Sequence, residues 1–294
     1  MIRPLNILLV AALALAGCKQ QGDTGAVKPD PSPILYQVKD NSGARQAWLF
    51  GTIHALPAGT QWRTDKLQEA VKNADVLVVE IANLEDNRAL ARTFVAYATT
   101  PGQPDIAERI SREQRPALFD LIGQSTYRAS DFEDIETWAA ALMLTPTNTP
   151  GESKNGADRA LIADFAGREV IELEGAEKQF AIFDALPEVD QVDLLLGVIA
   201  EAENRKEDPE RLRMAWLVGD AETLQDAMGQ GILADPELRN VLLTQRNRDW
   251  VAQIDALLKS GRHPLVAVGT AHLLGKDGLV AMLESQGYTL ERLQ

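Results

Sequence analysis

Two stretches decide how this chain is read: Leu49-Phe50-Gly51-Thr52-Ile53-His54 near one end, and Leu265-Val266-Ala267-Val268-Gly269-Thr270-Ala271-His272 near the other. Each is an apolar run of the kind that forms a buried strand, closed by Gly-Thr-x-His. The chain has three histidines. A Gly-Thr pair placed by chance ahead of two of them is on the order of a one-in-ten-thousand event. In open α/β sheets, ligands bind beyond the carboxyl ends of strands. A glycine there lets the backbone turn sharply, and the histidine that follows is delivered to the cleft.

Working outward, Ile34–Val38 and Ala47–Gly51 flank Asn41-Ser42-Gly43 and predict a hairpin. Thr64 reads as an N-cap, followed by Leu67, Ala70, Val71 and Ala74 at helical spacing. Val76-Leu77-Val78-Val79 is a second buried-type strand, ending at Glu80. The middle predicts helices over 84–98, over 157–166, and after two capping boxes, Ser111 with Gln114 and Ser130 with Glu133. Pro146 and Pro150 interrupt this region. A strand at 169–174, helices at 188–204 and 209–228, and a long helix from Pro236 to Lys259 follow. After His272, a helix around Leu279, Met282 and Leu283 closes at Gly287 as a C′ glycine, and a last strand spans 288–293. Strand, Gly-Thr-x-His, helix, strand thus occurs twice. The expected fold is α/β (α+β in its segregation of helices): a central mixed sheet built from the two units, with a large helical insertion between them.

The N-terminus is of a different kind. Arg3 precedes a run from Leu5 to Ala16 that is apolar except for Asn6, too short to span a bilayer. It reads as a signal-peptide core ending in Leu15-Ala16-Gly17-Cys18, the box cut before a lipidated cysteine. Residues 1–17 are expected to be removed, Cys18 to carry lipid, and the Gly/Pro-containing stretch 18–33 to act as a tether for a domain over 34–294. Cys18 is the only cysteine, so no intramolecular disulfide framework exists. Lys19 after the cysteine predicts an outer-membrane lipoprotein facing the periplasm. With 29 basic against 43 acidic residues, the formal net charge is −14, which disfavours nucleic acid and anionic lipid surfaces as partners.

Two imidazoles converging from separate strands suggest a catalytic metal, which typically takes three protein ligands plus water. Glu80 is the expected third ligand beside His54 and His272, and Glu174, ending another strand, is the next choice. No His-Glu-x-x-His helix is present, and His263, before Pro264 in a loop, reads as a surface residue. The long helix carries an anomaly: Asn247 shares an apolar face with Leu243, Trp250, Ile254 and Leu257, and Arg246 lies between Leu242 and Trp250. Buried, these two must find partners. A carbonyl or structural carboxylate, a developing oxyanion, or Glu80 and Glu174 themselves all satisfy that need.

These residues resemble the TraB/GumN family, which is related to the Tiki-type membrane proteases. The resemblance rests on the two Gly-Thr-x-His stretches, Val79-Glu80, Gly156-Ala157-Asp158-Arg159-Ala160-Leu161, Leu173-Glu174 with Glu177 and Gln179, and Arg246-Asn247 with Trp250, ending at Gly278-Leu279. It runs from about residue 34 to the end. The resemblance implies a metal-dependent protease centre made of the two histidines and a glutamate, here His54, His272 and Glu80, holding a divalent ion of zinc, manganese or cobalt type. A more distant similarity to erythromycin-esterase-like and haem-binding folds implies that residues so placed also serve without a catalytic metal. Three functions remain open: a metal-dependent hydrolase of peptides or other small substrates, with Glu174 or Glu80 as base and Arg246 on the oxyanion; a metal-free His/Glu hydrolase; and a lipoprotein that binds a ligand or peptide without cleaving it.

Overall fold

The computed structural model describes residues 30–145, 151–205, 208 and 210–294. The signal segment, Cys18 and the tether before Asp30 lie outside those residues, as do Pro146 and Pro150.

The N-terminal hairpin forms as its turn residues predict. Strands β1 (Leu35–Lys39) and β2 (Arg45–Thr52) pair antiparallel, with Leu35 opposite Phe50. Asp40 organises the turn by accepting the Ser42 and Ala44 N–H groups at 2.8 and 3.0 Å, and Gly43 supplies φ 81°. Helix α1 (Asp65–Asn73) starts where the Thr64 hydroxyl accepts the Leu67 N–H, and it leads into β3 (Val76–Val79), buried throughout. The insertion carries α2 (Asn87–Ala98), α3 (Arg115–Gln124), α4 (Thr137–Leu144) and α5 (Ala157–Asp164). Strand β4 (Glu169–Glu172) is followed by α6 (Gly175–Asp184), α7 (Glu188–Arg205), α8 (Arg211–Val218), α9 (Ala221–Met228), α10 (Pro236–Arg239) and α11 (Gln245–Lys259). Strand β5 (Pro264–Gly269), helix α12 (Leu279–Ser285) and strand β6 (Thr289–Arg292) complete the chain.

Among the described residues one six-stranded sheet forms, ordered β4-β3-β5-β2-β1-β6. Strand β1 runs against both its neighbours, and every other adjacent pair is parallel. The architecture is therefore the expected α/β one with a mixed sheet. The two repeated units do not stand side by side but interleave: β5 of the second lies between β2 and β3 of the first. One apolar core surrounds this sheet. A second, built on Trp138, Phe94, Phe180 and Phe183, holds α2, α4 and α6 together with α7 as a helical lobe.

Four local expectations change. The stretch 209–228 is two helices, because Gly219 takes φ 69° to end α8 and the Asp220 carboxylate caps α9 at the Thr223 N–H. Ser130 and Glu133 do not open an α-helix. Asp131 instead accepts the Arg128 N–H at 2.8 Å and starts a single 3₁₀ turn, Ala129–Phe132, with α4 beginning only at Thr137. At Ser111 the Gln114 side chain accepts the Ser111 N–H at 3.1 Å, half of the expected box, and α3 begins one residue later. The long helix from Pro236 to Lys259 is continuous but contains a π-helical turn at Asn240–Thr244, directly before Arg246 and Asn247. Such a turn inserts an extra residue and re-aims the side chains beyond it, and π turns are frequent at functional sites.

Candidate active site at the carboxyl edge of the sheet

Because β2, β3, β4 and β5 are parallel, their carboxyl ends meet at one edge, and each contributes a residue from the one to three positions beyond it. His54 lies beyond β2, Glu80 beyond β3, Glu174 beyond β4 and His272 beyond β5. The two motifs are bonded to each other: the Thr270 hydroxyl donates to the Thr52 carbonyl at 2.9 Å. A Cβ at Gly51 would lie 2.7 Å from that hydroxyl oxygen, so the first motif needs glycine for the second to dock.

The centre of the site is a buried ionic triad. Arg246, 4 % exposed, reaches Glu80 through Nη2 at 2.8 Å and Glu174 through Nε and Nη2 at 3.0 and 2.8 Å. Its Nη1 donates to the Leu242 carbonyl at 3.0 Å and to His272 Nε2 at 3.3 Å. All five N–H donors of the guanidinium thus have acceptors within the protein. Glu174 also accepts the Trp250 indole N–H at 3.0 Å. Glu80 further accepts the Gly269 N–H at 2.8 Å and the Gln179 amide at 3.2 Å. Burial would raise the Glu80 pKa, but His272, protonated in the acid range, together with Arg246, His54 and the Gly269 N–H, holds it down at about 2.

The two histidines, alike in sequence, differ in state. His272 is 1 % exposed, lies 4.3 Å from the Trp250 ring, and pairs its Nδ1 with Asn247 Oδ1 at 2.6 Å. Asn247 is fixed in turn by donating to the Asp277 carbonyl at 2.7 Å. Burial and the adjacent Arg246 charge push the His272 pKa down to about 3, so its ring is neutral, with Nδ1–H donating to Asn247 and Nε2 accepting from Arg246. His54 pairs Nδ1 with Asp158 Oδ2 at 3.1 Å. Its side chain is 23 % exposed, while its Nε2 is buried and has no partner among the described residues. Burial would lower its pKa, but Asp158, by charge and hydrogen bond, and Glu80 outweigh that and raise it to about 9.

His54, Glu80, Glu174, Arg246 and His272, with Asn247, the residues singled out from the sequence, are therefore brought together at this edge, joined by Asp158 and Gln179. The anomaly on the long helix resolves as Arg246 paired with both glutamates and a carbonyl, and Asn247 paired with His272. His263, half exposed, lies away from this edge, near Asp75. Among the described residues no three His, Cys, Asp or Glu side chains gather as a metal-binding group. The donor chemistry explains why: both Glu80 oxygens and His272 Nε2 receive N–H donors, and a guanidinium lies where His54, Glu80 and His272 would share an ion. As arranged, these three do not fit a metal cage.

The His54–Asp158 pair is positioned by Gly156, which precedes α5. A Cβ there would come within 2.3 Å of the His54 carbonyl oxygen and 2.7 Å of Asp158 Oδ1. Gly156→Ala should cost about 1–3 kcal/mol of stability through this overpacking, read as a shift in the urea midpoint. An unchanged midpoint would mean that the approach is not tight.

Comparison with known proteins agrees with this picture. Residues 34–292 match the TraB/PrgY/gumN family model. The uncharacterized proteins YbaP of Shigella flexneri and of Escherichia coli (strain K12) are each 29 % identical over 250 residues, covering 82 % of this chain and 89 % of the relative. No solved structure matches. A match that begins just before β1, ends with β6 and takes in every residue of the site leaves one conclusion: the chain belongs to the TraB/PrgY/gumN family.

Proposed function

We propose that this protein is a hydrolase of peptide or related acyl bonds, held by lipid on Cys18 at the periplasmic face of the outer membrane, in which His54 moves the proton without a metal. One observation carries the reading: His54 is backed at Nδ1 by a carboxylate while its buried Nε2 has no partner among the described residues. A histidine kept for structure alone has its buried nitrogens paired. A carboxylate behind Nδ1 fixes the tautomer and stabilises the imidazolium, as a general base requires. Neutral His54 takes a proton from water at Nε2 as the water oxygen adds to the scissile carbonyl. The same proton then goes to the leaving amine or alkoxide as the bond to carbon breaks. Arg246, with every donor occupied, holds Glu80 and Glu174 in place.

The base form sets the pH dependence. With a His54 pKa of about 9 in the free protein, the ring is protonated at pH 7. Activity through a general base then rises with pH and levels off above about 9. The test is kcat/KM between pH 6 and 10 on a library of fluorogenic peptides and esters. A flat or falling profile removes His54 as the base, and no turnover on any substrate favours a binding lipoprotein. The metal-dependent alternative requires Arg246 to release Glu80 and His272. Stoichiometric metal in chelator-free protein, lost in His54→Ala and His272→Ala, would favour it.

A further inference from the structure

The place where the chain enters the domain follows from the sheet. Strand β1 is the one strand that runs against its neighbours, so its first residue lies at the carboxyl edge of the other five. Ile34 O accepts the Gly51 N–H at 3.0 Å, three positions before His54. The residues leading into β1 are fastened at that same edge. Ser32 N–H donates to Leu217 O at 2.7 Å, and the Pro33 carbonyl accepts from the side chain of the terminal residue Gln294 at 2.9 Å. Leu217 stands beside Trp216, whose indole N–H donates to the Gly51 carbonyl at 2.9 Å. Arg292, at the end of β6, donates to the Gly219 carbonyl and ties the α8–α9 elbow to the same corner.

We infer that the carboxyl edge bearing His54 faces the lipid bilayer, so that the substrates in reach are chains or amphiphiles attached to that membrane. The inference rests on the lipid anchor proposed above. Twelve residue steps separate Cys18 from Asp30, the first described residue. Covalent geometry lets them span no more than about 40 Å. A domain of this length is about 45 Å across. Even fully extended, the tether is too short to carry the opposite edge round to the membrane. The acidic surface adds no adhesion of its own, so the orientation comes from where the tether joins the fold.

The lone cysteine makes the test direct. In the lipidated protein its sulfur is consumed, so an introduced cysteine is the only free thiol. Exposed positions at the two edges serve as reporters: Glu85 and Lys276 beyond the carboxyl ends of β3 and β5, and Lys259 just before the amino end of β5. Mature E85C, K276C and K259C, purified from membranes and labelled with a fluorophore, are incorporated in neutral phosphatidylcholine vesicles carrying headgroup spin labels. With a reach of at most about 40 Å against a domain about 45 Å across, the labels at 85 and 276 should be quenched about twofold or more over that at 259. Equal quenching, or stronger quenching at 259, overturns the orientation. Failure of all three to partition into vesicles overturns it at the anchor instead, and leaves the hydrolase chemistry of the soluble domain to stand or fall on its own pH profile.

Discussion

Replacing Arg246 by methionine should remove about 3–5 kcal/mol of folding stability at pH 7, because it strands two buried carboxylates. In the native site the guanidinium lies 2.8 Å from each of Glu80 and Glu174, and the Glu174 side chain is wholly buried. Without it, burial of Glu80 is no longer offset by the guanidinium charge, and the Glu80 pKa rises. A group raised in this way favours the fold below its unfolded pKa and opposes it above. The native Glu80 behaves oppositely: lowered to about 2, it contributes stability above its ordinary 4.5 that is lost as pH falls through 2. The stability gap between native protein and R246M should therefore narrow on acidification from pH 7 to pH 5. Urea unfolding at the two pH values reads it. A loss under about 1 kcal/mol at pH 7, typical of an exposed ion pair, or a gap that does not move with pH, would contradict the buried triad.

His54→Ala should lower kcat by about 10²–10⁴-fold, the usual contribution of a positioned acid–base group. Its side chain is partly exposed, so folding should suffer much less than turnover. The variant that separates chemistry from structure is Asp158→Asn. The amide keeps a partner for Nδ1 but removes the largest influence raising the His54 pKa. Burial then dominates, and the pKa falls from about 9 toward or below its ordinary 6.5. The rise in kcat/KM should move to lower pH by the same amount, with a lower plateau because the imidazolium formed in the transition state has lost its counter-charge. An unshifted profile in D158N would show that Asp158 does not act through His54.

Much of the site is legible in the sequence because its residues break local rules. Glu80 ends a four-residue apolar strand, and Asn247 stands on an apolar helix face; each departs from the pattern around it and so marks itself. Gly51 and Gly269 are readable as glycines closing apolar runs, but Gly51 lies within β2 opposite Val268 and serves the close approach of Thr270, not a turn. Asp158 gives no such signal. It occupies the first turn of α5, where an acidic residue is ordinary helix chemistry, and its pairing with His54 spans 104 positions. The different protonation of the two histidines is equally hidden, since it depends on the neighbours Asp158 and Arg246 and not on the shared motif. The break at Gly219-Asp220 is open to a sequence reading, since a C′ glycine followed by an N-cap aspartate is a stop and a start. The π turn ahead of Arg246 is not, because the helical spacing of Asn247, Trp250 and Ile254 is intact beyond it.

The interleaved strand order also fixes when the site comes into being. Strand β2 carries His54 and β3 precedes Glu80, but the two strands do not touch; β5 fills the space between them and brings the Gly269 N–H to Glu80 and the Thr270 hydroxyl to Thr52. Strand β5 begins at Pro264, only thirty residues from the end of the chain. At about 5–20 residues per second, synthesis takes roughly 10–40 s to travel from the first histidine motif to the second. During that interval the nascent chain has β2 and β3 without their shared neighbour, and contacts of such long range close slowly. A polypeptide released before Pro264 contains His54, Asp158, Glu80 and Arg246 yet has no frame to assemble them.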